Sequence, residues 1–382
     1  MAETVRVLAT VRDVPREAWD ALVADESPFL EWEWLAALED GRTVTRETGW
    51  LPQHVTLWDG DRLLGAAPLY VKAHSMGEFV FDHTWATAAQ RAGIGYYPKL
   101  LVAVPFTPVT GARFLARPAD AAHVRATLAA VLERLCAEDD AFSSVHVNFC
   151  RPADAEALAA RGWLRRTGYQ YQWRNEGYRT FDDYLAGLRS KRRNQARREL
   201  RELQEQGVEI RACVGGGIPD DMAELVYRLY RRTVDDNPWG QRYLTRRFFD
   251  VVFERYRERI CLVLAHRGGE VVAGTFNVQK GDALYGRYWG AFETLRHLHF
   301  NVCYYAAIEH CIAAGLARFE PGAGGEFKHL RGFDATETVS MHWIRDRRFR
   351  GAVADYLARE RAAVANEIEW FHEKTARKRD PS

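Results

Sequence analysis

The segment FEPGAGGEFKHLRGF (319–333) combines a run of glycines with closely spaced charged side chains. The glycines, which permit backbone conformations that other residues resist, are Gly322, Gly324 and Gly325. In acyl transfer to an amine, a carboxylate can accept the proton that the ammonium loses, and a cation can bind the carbonyl oxygen as it becomes anionic. We therefore predict that Glu326 is a catalytic base and that Lys328 or Arg331 binds an oxyanion, a carboxylate or a phosphate. A structural turn closed by a salt bridge would use the same residue types.

His342 is the third candidate for catalysis, since it follows the β-like run TVSM and precedes Trp343. A histidine in such a strand is also compatible with a core position. No serine or cysteine has an evident activating neighbour in the sequence, so we expect direct attack on a bound ester or thioester without a covalent enzyme intermediate. The six cysteines form no CxxC pair and no zinc-like spacing, and we predict no metal site.

The segment GRYWGAF (286–292) carries a second group of candidates for substrate binding: Arg287, Tyr288 and Trp289. Strand alternation predicts that Arg287 and Trp289 share one face and that Tyr288 points to the other. Such side chains suit a polar or carboxylated substrate, although a core strand would also explain them. Asp82, in the earlier segment FDHTW, is the corresponding candidate upstream.

The segment YYPKLLVAVPFTP (96–108) has an apolar centre between proline-marked ends. Proline donates no ladder hydrogen bond, so the ends cannot belong to a central strand. The centre, LLVAV, is typical of a core. At the ends we predict wall residues of a substrate cleft between two domains, namely Tyr97, Lys99, Phe106 and Thr107.

The segment SKRRNQARRELRELQEQG (190–207) predicts a basic helix. Its first nine residues contain no acid, and the candidates for binding tRNA or another phosphate are Lys191, Arg192, Arg193, Arg197 and Arg201. Residues four apart share a helix face, which groups Arg193, Arg197 and Arg201. A solvated face is the alternative, because glutamates in the second half provide intrahelical partners.

The size and charge of the chain define the setting of these candidates. A chain of 382 residues with 47% hydrophobic and 27% charged residues is typical of a folded protein of two or three domains. The net charge of +1 means that any basic patch is local, and we predict no DNA partner. No apolar run is long enough for a membrane span, and the N-terminus lacks the apolar core of a signal peptide. We therefore expect a cytoplasmic protein, with peripheral membrane contact only if its acceptor is linked to lipid.

An internal repeat organises the chain. Residues 54–72 and 261–280 both read as strand, turn and strand, with Gly65 and Gly274 at equivalent places. Each hairpin is followed by a segment with a tryptophan, 78–86 or 283–291, which we predict to be a third strand. Helices are predicted at 121–136, at 220–236, from an N-cap at Asn301, and near the C-terminus. This order predicts a duplicated, mixed α/β fold.

Four segments together resemble the Fem-like predicted N-acyltransferases, which are described as peptidoglycan biosynthesis/recognition proteins of the GNAT superfamily. They are SPFLEWEWLAALED, YYPKLLVAVPFTPVTGARFL, SKRRNQARRE and GAGGEFKHLRGFDATETVSMHW. The resemblance implies an α/β (α+β) fold of two tandem GNAT-like domains. We place the substrate-recognition domain at residues 1–175 and the domain with the basic helix and transfer site at residues 176–382. The family pattern usually has a histidine after the glutamate, where this chain has Phe327.

The acyl donor that the resemblance implies is aminoacyl-tRNA or acyl-CoA, with no tightly bound cofactor. GNAT enzymes hold the CoA pyrophosphate on a Q/R-x-x-G-x-G/A loop before a helix. Residues 292–301, at the corresponding place in the second repeat, contain no glycine. Residues 90–99 do offer Arg91, Gly93 and Gly95, but an extended segment follows them. These features favour aminoacyl-tRNA.

We therefore expect an N-acyltransferase that moves an aminoacyl or acyl group to an amine of a peptide-like, cell-wall-type or small-molecule acceptor. An acyl-CoA-dependent transferase is the first alternative. The second is a non-catalytic protein that recognises a ligand with a degenerate acyltransferase fold. The chain has no GxSxG and no strand-to-helix GxGxxG pattern, so nothing indicates a hydrolase or an oxidoreductase.

Overall fold

The computed structural model describes residues 3–236 and 241–378 of the chain. These residues form two compact units. Unit 1 consists of the described residues through Gly168 together with Glu337–Ala365, and unit 2 consists of Tyr169–Thr336 together with the described residues from Asn366 onward. No helix in the described ranges has both the length and the apolarity that a membrane span requires.

Strands and helices alternate along the whole described chain. The strands are β1 (Glu3–Leu8), β2 (Trp50–Pro52), β3 (His54–Asp59), β4 (Arg62–Ala67), β5 (Leu69–Lys72), β6 (Lys99–Val102), β7 (Leu115–Ala116), β8 (Ser144–Val147), β9 (Leu164–Arg174), β10 (Val208–Val214), β11 (Ile260–Arg267), β12 (Glu270–Lys280), β13 (Ala283–Ala291), β14 (Arg318–Glu320) and β15 (Asp334–Ile344). The α-helices are α1 (Arg16–Val23), α2 (Trp32–Asp40), α3 (His83–Arg91), α4 (Ala121–Glu138), α5 (Pro152–Ala159), α6 (Phe181–Gly187), α7 (Ser190–Gln204), α8 (Met222–Asp235), α9 (Arg246–Arg255), α10 (Leu298–Phe300), α11 (Ala306–Ala313) and α12 (Arg347–Glu373). A π-helical turn (Asn301–Tyr305) joins α10 to α11.

Unit 1 is built on two sets of strands. Strands β1, β3, β4 and β7 form an antiparallel sheet in that order. In the other set, β6 pairs with β8 in parallel and with β5 antiparallel, and β5 pairs with β2. Strand β15 runs antiparallel to β8, with Met341 opposite Val147. Helix α4 packs its apolar residues, among them Val124 and Leu128, into the core of this unit.

Unit 2 follows the same plan. Strands β10, β11, β12 and β13 form an antiparallel series, β13 then pairs in parallel with β14, and β14 pairs with β9. Core side chains lie on both faces of this sheet. Helices α8 and α9 pack against one face, and α11 packs against the other.

The two glycines of the repeat each lie close to a helix. A Cβ atom at Gly65 would lie 2.3 Å from Cγ1 of Val124 on α4. At Gly274 it would lie 3.2 Å from Cδ1 of Leu229 on α8. In both hairpins, glycine therefore lets a helix approach the second strand, although α4 follows its hairpin in the chain and α8 precedes its own.

Two element predictions are wrong. Residues 83–86 of the predicted strand 78–86 instead begin helix α3, which buries Trp85 and Ala89 and leaves Thr84, Thr87 and Ala88 exposed. Asn301 begins the π-helical turn rather than capping a helix, because the helical residues of α10 precede it. The other predicted helices are confirmed, as α4, α7, α8 and α12.

The compact units differ from the predicted division after residue 175. Residues 337–365 were assigned by sequence to the second domain, yet they belong to unit 1. The reason is strand pairing, since Met341, His342 and Trp343 of β15 pair with residues of β8 in unit 1. The role assigned to each domain stays a prediction.

Candidate functional site

The parallel strands β13 and β14 of unit 2 diverge where the glycine-rich segment, the candidate transfer site, begins. They pair only through Ala283–Tyr285 on β13 and Arg318–Glu320 on β14. Beyond them, a Cβ atom at Gly286 would lie 3.2 Å from Pro321, so the main chains are still in contact where the turn begins. The turn continues through three glycines with positive φ: Gly322 (87°), Gly324 (65°) and Gly325 (85°). The sequence-based reason for glycine is thus confirmed at each position.

Lys328 lies against this turn, and its ammonium group contacts main-chain oxygens. The residue is 3% exposed, and Nζ donates to the carbonyl oxygens of Gly322 (2.7 Å) and Ala323 (3.4 Å). No carboxylate among the described residues forms an ion pair with Nζ. Burial lowers the pKa of Lys328 to about 8. An ammonium has three N–H donors, so one remains for a ligand.

Glu326 lies on the open side of the same short 3-10 segment, Glu326–Arg331. The glutamate is exposed, and the neighbouring Phe327 is 62% exposed. The ring centroid of Phe327 lies 6.3 Å from that of Phe300. The carboxylate is therefore accessible to an incoming amine, as a general base requires.

Arg331, which the sequence assigns to substrate binding, is engaged by the protein itself. Its NH2 group donates to both carboxylate oxygens of Glu199 at 3.0 and 3.1 Å. NH1 donates to the Phe327 carbonyl at 3.1 Å, and the guanidinium lies 3.5 Å from the ring centroid of Phe300. The residue is 2% exposed. These contacts indicate that Arg331 holds the segment in place.

Strand β13 does not alternate as predicted, because it contains a β-bulge. Phe276 pairs with Tyr288 while the next residue of β12 pairs with Gly286, so Arg287 is the additional residue. Its guanidinium lies 5.5 Å from the Tyr288 ring, and Trp289 packs against His299 with ring centroids 4.6 Å apart. The substrate-binding role of these three side chains stays a prediction.

The basic residues of α7 fall into two groups. Some are engaged by protein atoms: Arg192 with Gln195, Arg193 with the Leu188 carbonyl, and Arg201 with Glu205. Lys191 and Arg197 are exposed, and neither forms an ion pair within the described ranges. The opposite face of α7 is buried through Ala196, Glu199 and Leu203. A phosphate ligand would thus meet Lys191 and Arg197.

The upstream candidates Asp82, Tyr97 and Lys99 meet in a buried polar cluster of unit 1. Nζ of Lys99 donates to Asp82 (2.5 Å), to Glu78 (2.9 Å) and to Oγ of Ser75 (2.9 Å). The Ser75 hydroxyl is 2.7 Å from that of Tyr97. Burial raises the pKa of Glu78 to about 7, against the charge of Lys99, which lowers it. Lys99 has no exposed surface and Asp82 is 1% exposed, so Tyr97, which is half-buried, is the one of these three candidates that a ligand could reach.

The proline-marked end of the same segment does not form a wall. Phe106 and Thr107 are only 2% and 3% exposed. The Phe106 ring packs on Trp50 with centroids 5.2 Å apart, and the Thr107 hydroxyl donates to the Pro105 carbonyl. A cavity of about 560 Å³ does exist in unit 1, and Tyr97 and Ser144 are among its lining residues.

His342 is fully buried in unit 1, where it contacts a second histidine. Its Nδ1 lies 2.7 Å from Nδ1 of His146, whose Nε2 lies 2.8 Å from Oγ of Ser144. Burial and the charge of Lys99 lower the pKa of His146 to about 3. Burial also lowers the pKa of His342. Because a positive imidazolium is unfavourable here, the contact does not make Ser144 an activated nucleophile.

Comparison with known proteins defines the family. Residues 10–379 match the FemAB-like family, which is described as peptidoglycan biosynthesis/recognition. The chain belongs to the FemAB-like family. The match spans both units and confirms the resemblance carried by the four sequence segments. No curated protein matches the sequence.

Solved structures share the fold of this FemAB-like chain at low sequence identity. FemX aligns with a TM-score of 0.55 and 11% identity, over 93% of this chain and all (100%) of its own. L-PGS from Bacillus licheniformis aligns with a TM-score of 0.54 and 8% identity, over 90% and 96%. The C-terminal domain of a putative lysylphosphatidylglycerol synthetase from Agrobacterium fabrum aligns with a TM-score of 0.54 and 9% identity, over 90% and 95%. The predicted mixed α/β fold class is confirmed. The description of the two domains as GNAT-like stays a prediction.

Three charged or polar residues of this FemAB-like protein were missed by sequence reasoning: Glu78, His146 and Glu199. The sequence interpretation treats Glu199 as a surface partner for arginines, yet its spacing from Ala196 and Leu203 places it on the apolar face of α7. An acid on an apolar face indicates a buried cationic partner. His146 and Glu78 carry no comparable signal, because their partners come from distant parts of the chain.

Proposed function

We propose that the protein transfers an aminoacyl group from aminoacyl-tRNA to an amine of a peptide-like, cell-wall-type or small-molecule acceptor. The observation that carries this proposal is the ammonium of Lys328, a buried cation with one spare donor beside a glycine turn. Such a group stabilises negative charge strongly, because little water competes with it. Membership in a family of peptidoglycan biosynthesis or recognition supports an amine acceptor of this type.

In the proposed reaction the neutral amine attacks the ester carbonyl carbon of the donor. Glu326 accepts the proton that the acceptor ammonium loses, and Lys328 donates a hydrogen bond to the carbonyl oxygen as it becomes anionic. A carbon–nitrogen bond forms and the carbon–oxygen bond to the donor breaks. The departing oxygen takes the second proton that the attacking nitrogen loses and leaves as a hydroxyl. The exposure of Glu326 and the burial of Lys328 suit these different roles.

The segment before α10 supports a donor other than acyl-CoA. A pyrophosphate held on main-chain N–H groups needs glycine for close approach. Here the corresponding residues are bulky, and a carboxylate already lies beside them. Oε2 of Glu202 accepts from Arg296 (3.1 Å) and contacts Nε2 of His297 (3.0 Å). Glu202 thus already engages Arg296 and His297, the side chains at this position that could otherwise contact a pyrophosphate. The exposed cations Lys191 and Arg197 on α7 offer an alternative place for phosphate.

The donor is tested by incubating the protein separately with labelled aminoacyl-tRNA and with labelled acetyl-CoA, and following transfer to an amine or loss of the acyl group. We expect aminoacyl-tRNA to be consumed and RNase treatment to abolish the activity. Glu326→Gln should lower the rate by roughly 100-fold or more, the usual size of a general-base contribution. The control Glu205→Gln changes another exposed acid of unit 2. Turnover of acetyl-CoA alone, or activity unaffected by RNase, would overturn the choice of donor.

A further inference from the structure

Glu199 lies at a buried junction of three segments in unit 2. Although it belongs to the basic helix α7, it is only 2% exposed. Its carboxylate accepts from the hydroxyl of Tyr305 (2.7 Å) and from Nε2 of Gln195 (2.8 Å). With the two contacts from Arg331, the carboxylate accepts four hydrogen bonds. Tyr305 ends the π-helical turn and Arg331 ends the 3-10 segment, so the carboxylate joins both to α7.

The other contacts of Arg331 lead from this junction to the candidate transfer site. NH1 holds the carbonyl of Phe327, the residue before Lys328. The main-chain oxygen of Arg331 accepts from the Tyr184 hydroxyl at 2.8 Å. The 3-10 segment is thus held near both of its ends. From this segment Lys328 reaches the carbonyl of Gly322 in the glycine turn.

We propose that Glu199 is a positioning residue for Lys328 and acts through Arg331. Replacing its carboxylate with a neutral group leaves Arg331 as a second buried cation near Lys328, without the charge that compensates it. Arg331 would then turn away, release the Phe327 carbonyl and loosen the 3-10 segment. Lys328 would lose its fixed contact with the glycine turn and become hydrated.

The inference rests on the proposed function only for the role of Lys328, and its experiment needs no donor or acceptor. An amine-reactive label is applied to the full chain between pH 6 and pH 11, and modification of Lys328 is followed by peptide mass spectrometry. In the native protein we expect half-maximal reactivity near pH 8, where the amine loses its proton. In Glu199→Gln, the midpoint for Lys328 should move upward by about one pH unit or more, toward the value of a hydrated lysine. At high pH, where the amine is deprotonated in both proteins, its modification should be faster in the variant because the side chain is exposed.

Two comparisons separate positioning from a general loss of structure. Glu205→Gln changes an exposed acid on the same helix and should leave the midpoint near pH 8. Arg331→Gln should shift the midpoint as Glu199→Gln does, and the double variant should shift it no further, because the two residues act as one unit. If Glu199→Gln does not fold, Tyr305→Phe, which removes one hydrogen bond to Glu199, should produce a smaller shift in the same direction.

An unchanged Lys328 midpoint in folded Glu199→Gln, or in Tyr305→Phe if the first variant does not fold, overturns the inference. A shifted midpoint in a protein that consumes no aminoacyl-tRNA would retain the positioning role and reject the proposed function. Normal transfer by a variant with a shifted midpoint would instead remove Lys328 from the chemistry. The two proposals can therefore fail separately.

Discussion

At the scale of single residues, the burial that lowers the pKa of Lys328 also reduces the stability of the folded chain. Its pKa falls from 10.5 to about 8 in the folded chain, which corresponds to about 3 kcal/mol of stability lost while the lysine is charged in both states. We expect Lys328→Met to remove this cost, to raise the melting temperature at pH 7 by several degrees, and to abolish transfer. Thermal unfolding and a transfer assay on the same preparations measure both effects.

The pH dependence of this gain identifies its cause. Below about pH 8 the folded and the unfolded chain both carry the Lys328 proton, so the cost is fully present. Between pH 8 and pH 10.5 only the unfolded chain keeps the proton, and the stability of the native protein rises with pH. The advantage of Lys328→Met should therefore shrink toward pH 10. A variant that is less stable than the native protein at pH 7, or whose advantage does not change with pH, would contradict the explanation.

At the scale of elements, α7 has a buried face that packs on unit 2 and an exposed face that carries cations. Its buried side carries Glu199, whereas Lys191 and Arg197 face solvent. The double variant Lys191→Gln/Arg197→Gln should weaken tRNA binding severalfold. It should also reduce the slope of log affinity against log salt by roughly 1.5, since each lost phosphate contact removes about 0.7–0.9. Filter binding at several salt concentrations measures both quantities.

A matched control tests whether this effect belongs to α7. Arg232 is exposed on α8, where its ion pair with Asp236 is loose, with 3.7 Å between NH2 and Oδ2. Arg232→Gln together with Arg211→Gln removes the same number of positive charges from unit 2. We expect a near-native salt slope for this control. Equal losses in the two double variants would mean that tRNA responds to the total charge of the protein and not to the exposed face of α7.

Elements whose structure is determined by their own sequence could be predicted, whereas features that depend on pairing with distant segments could not. Helix α7 was predicted because its sequence favours a helix without help from other segments. Residues 78–86 were read as a strand by analogy with 283–291, but α3 forms there from a locally helical HTWATAAQR run. The bulge at Arg287 depends on its pairing with β12, which alternation within one strand cannot reveal. For the same reason, Glu326 and Lys328 could be proposed from one short segment, whereas the contact between Glu199 and Arg331 could not be predicted.

At the scale of the whole molecule, the chain leaves unit 1, forms unit 2 and then returns. The repeat predicted two copies of one fold, but two consecutive copies give no signal that residues 337–365 belong to the first unit. Those residues supply one side of a core cluster, through Ile344, Phe349, Val353 and Leu357, that packs with Trp85 and Tyr96. Strand β15 also covers one edge of β8. A boundary drawn after residue 175 therefore separates two parts of one core, because its residues are far apart in the sequence.

This arrangement predicts the behaviour of fragments. A fragment of residues 1–175 keeps β6 but lacks β15, the other partner of β8, and one side of the core cluster around Trp85, so it should expose apolar surface and an unpaired strand edge. We expect it to bind a hydrophobic dye and to unfold without a cooperative transition. A control that joins residues 3–168 to residues 337–365 through a flexible linker restores the contacts of β15 and α12 with unit 1. This control should unfold cooperatively in thermal denaturation. Cooperative unfolding of the 1–175 fragment at the midpoint of the joined control would show that residues 337–365 are dispensable for the fold of unit 1.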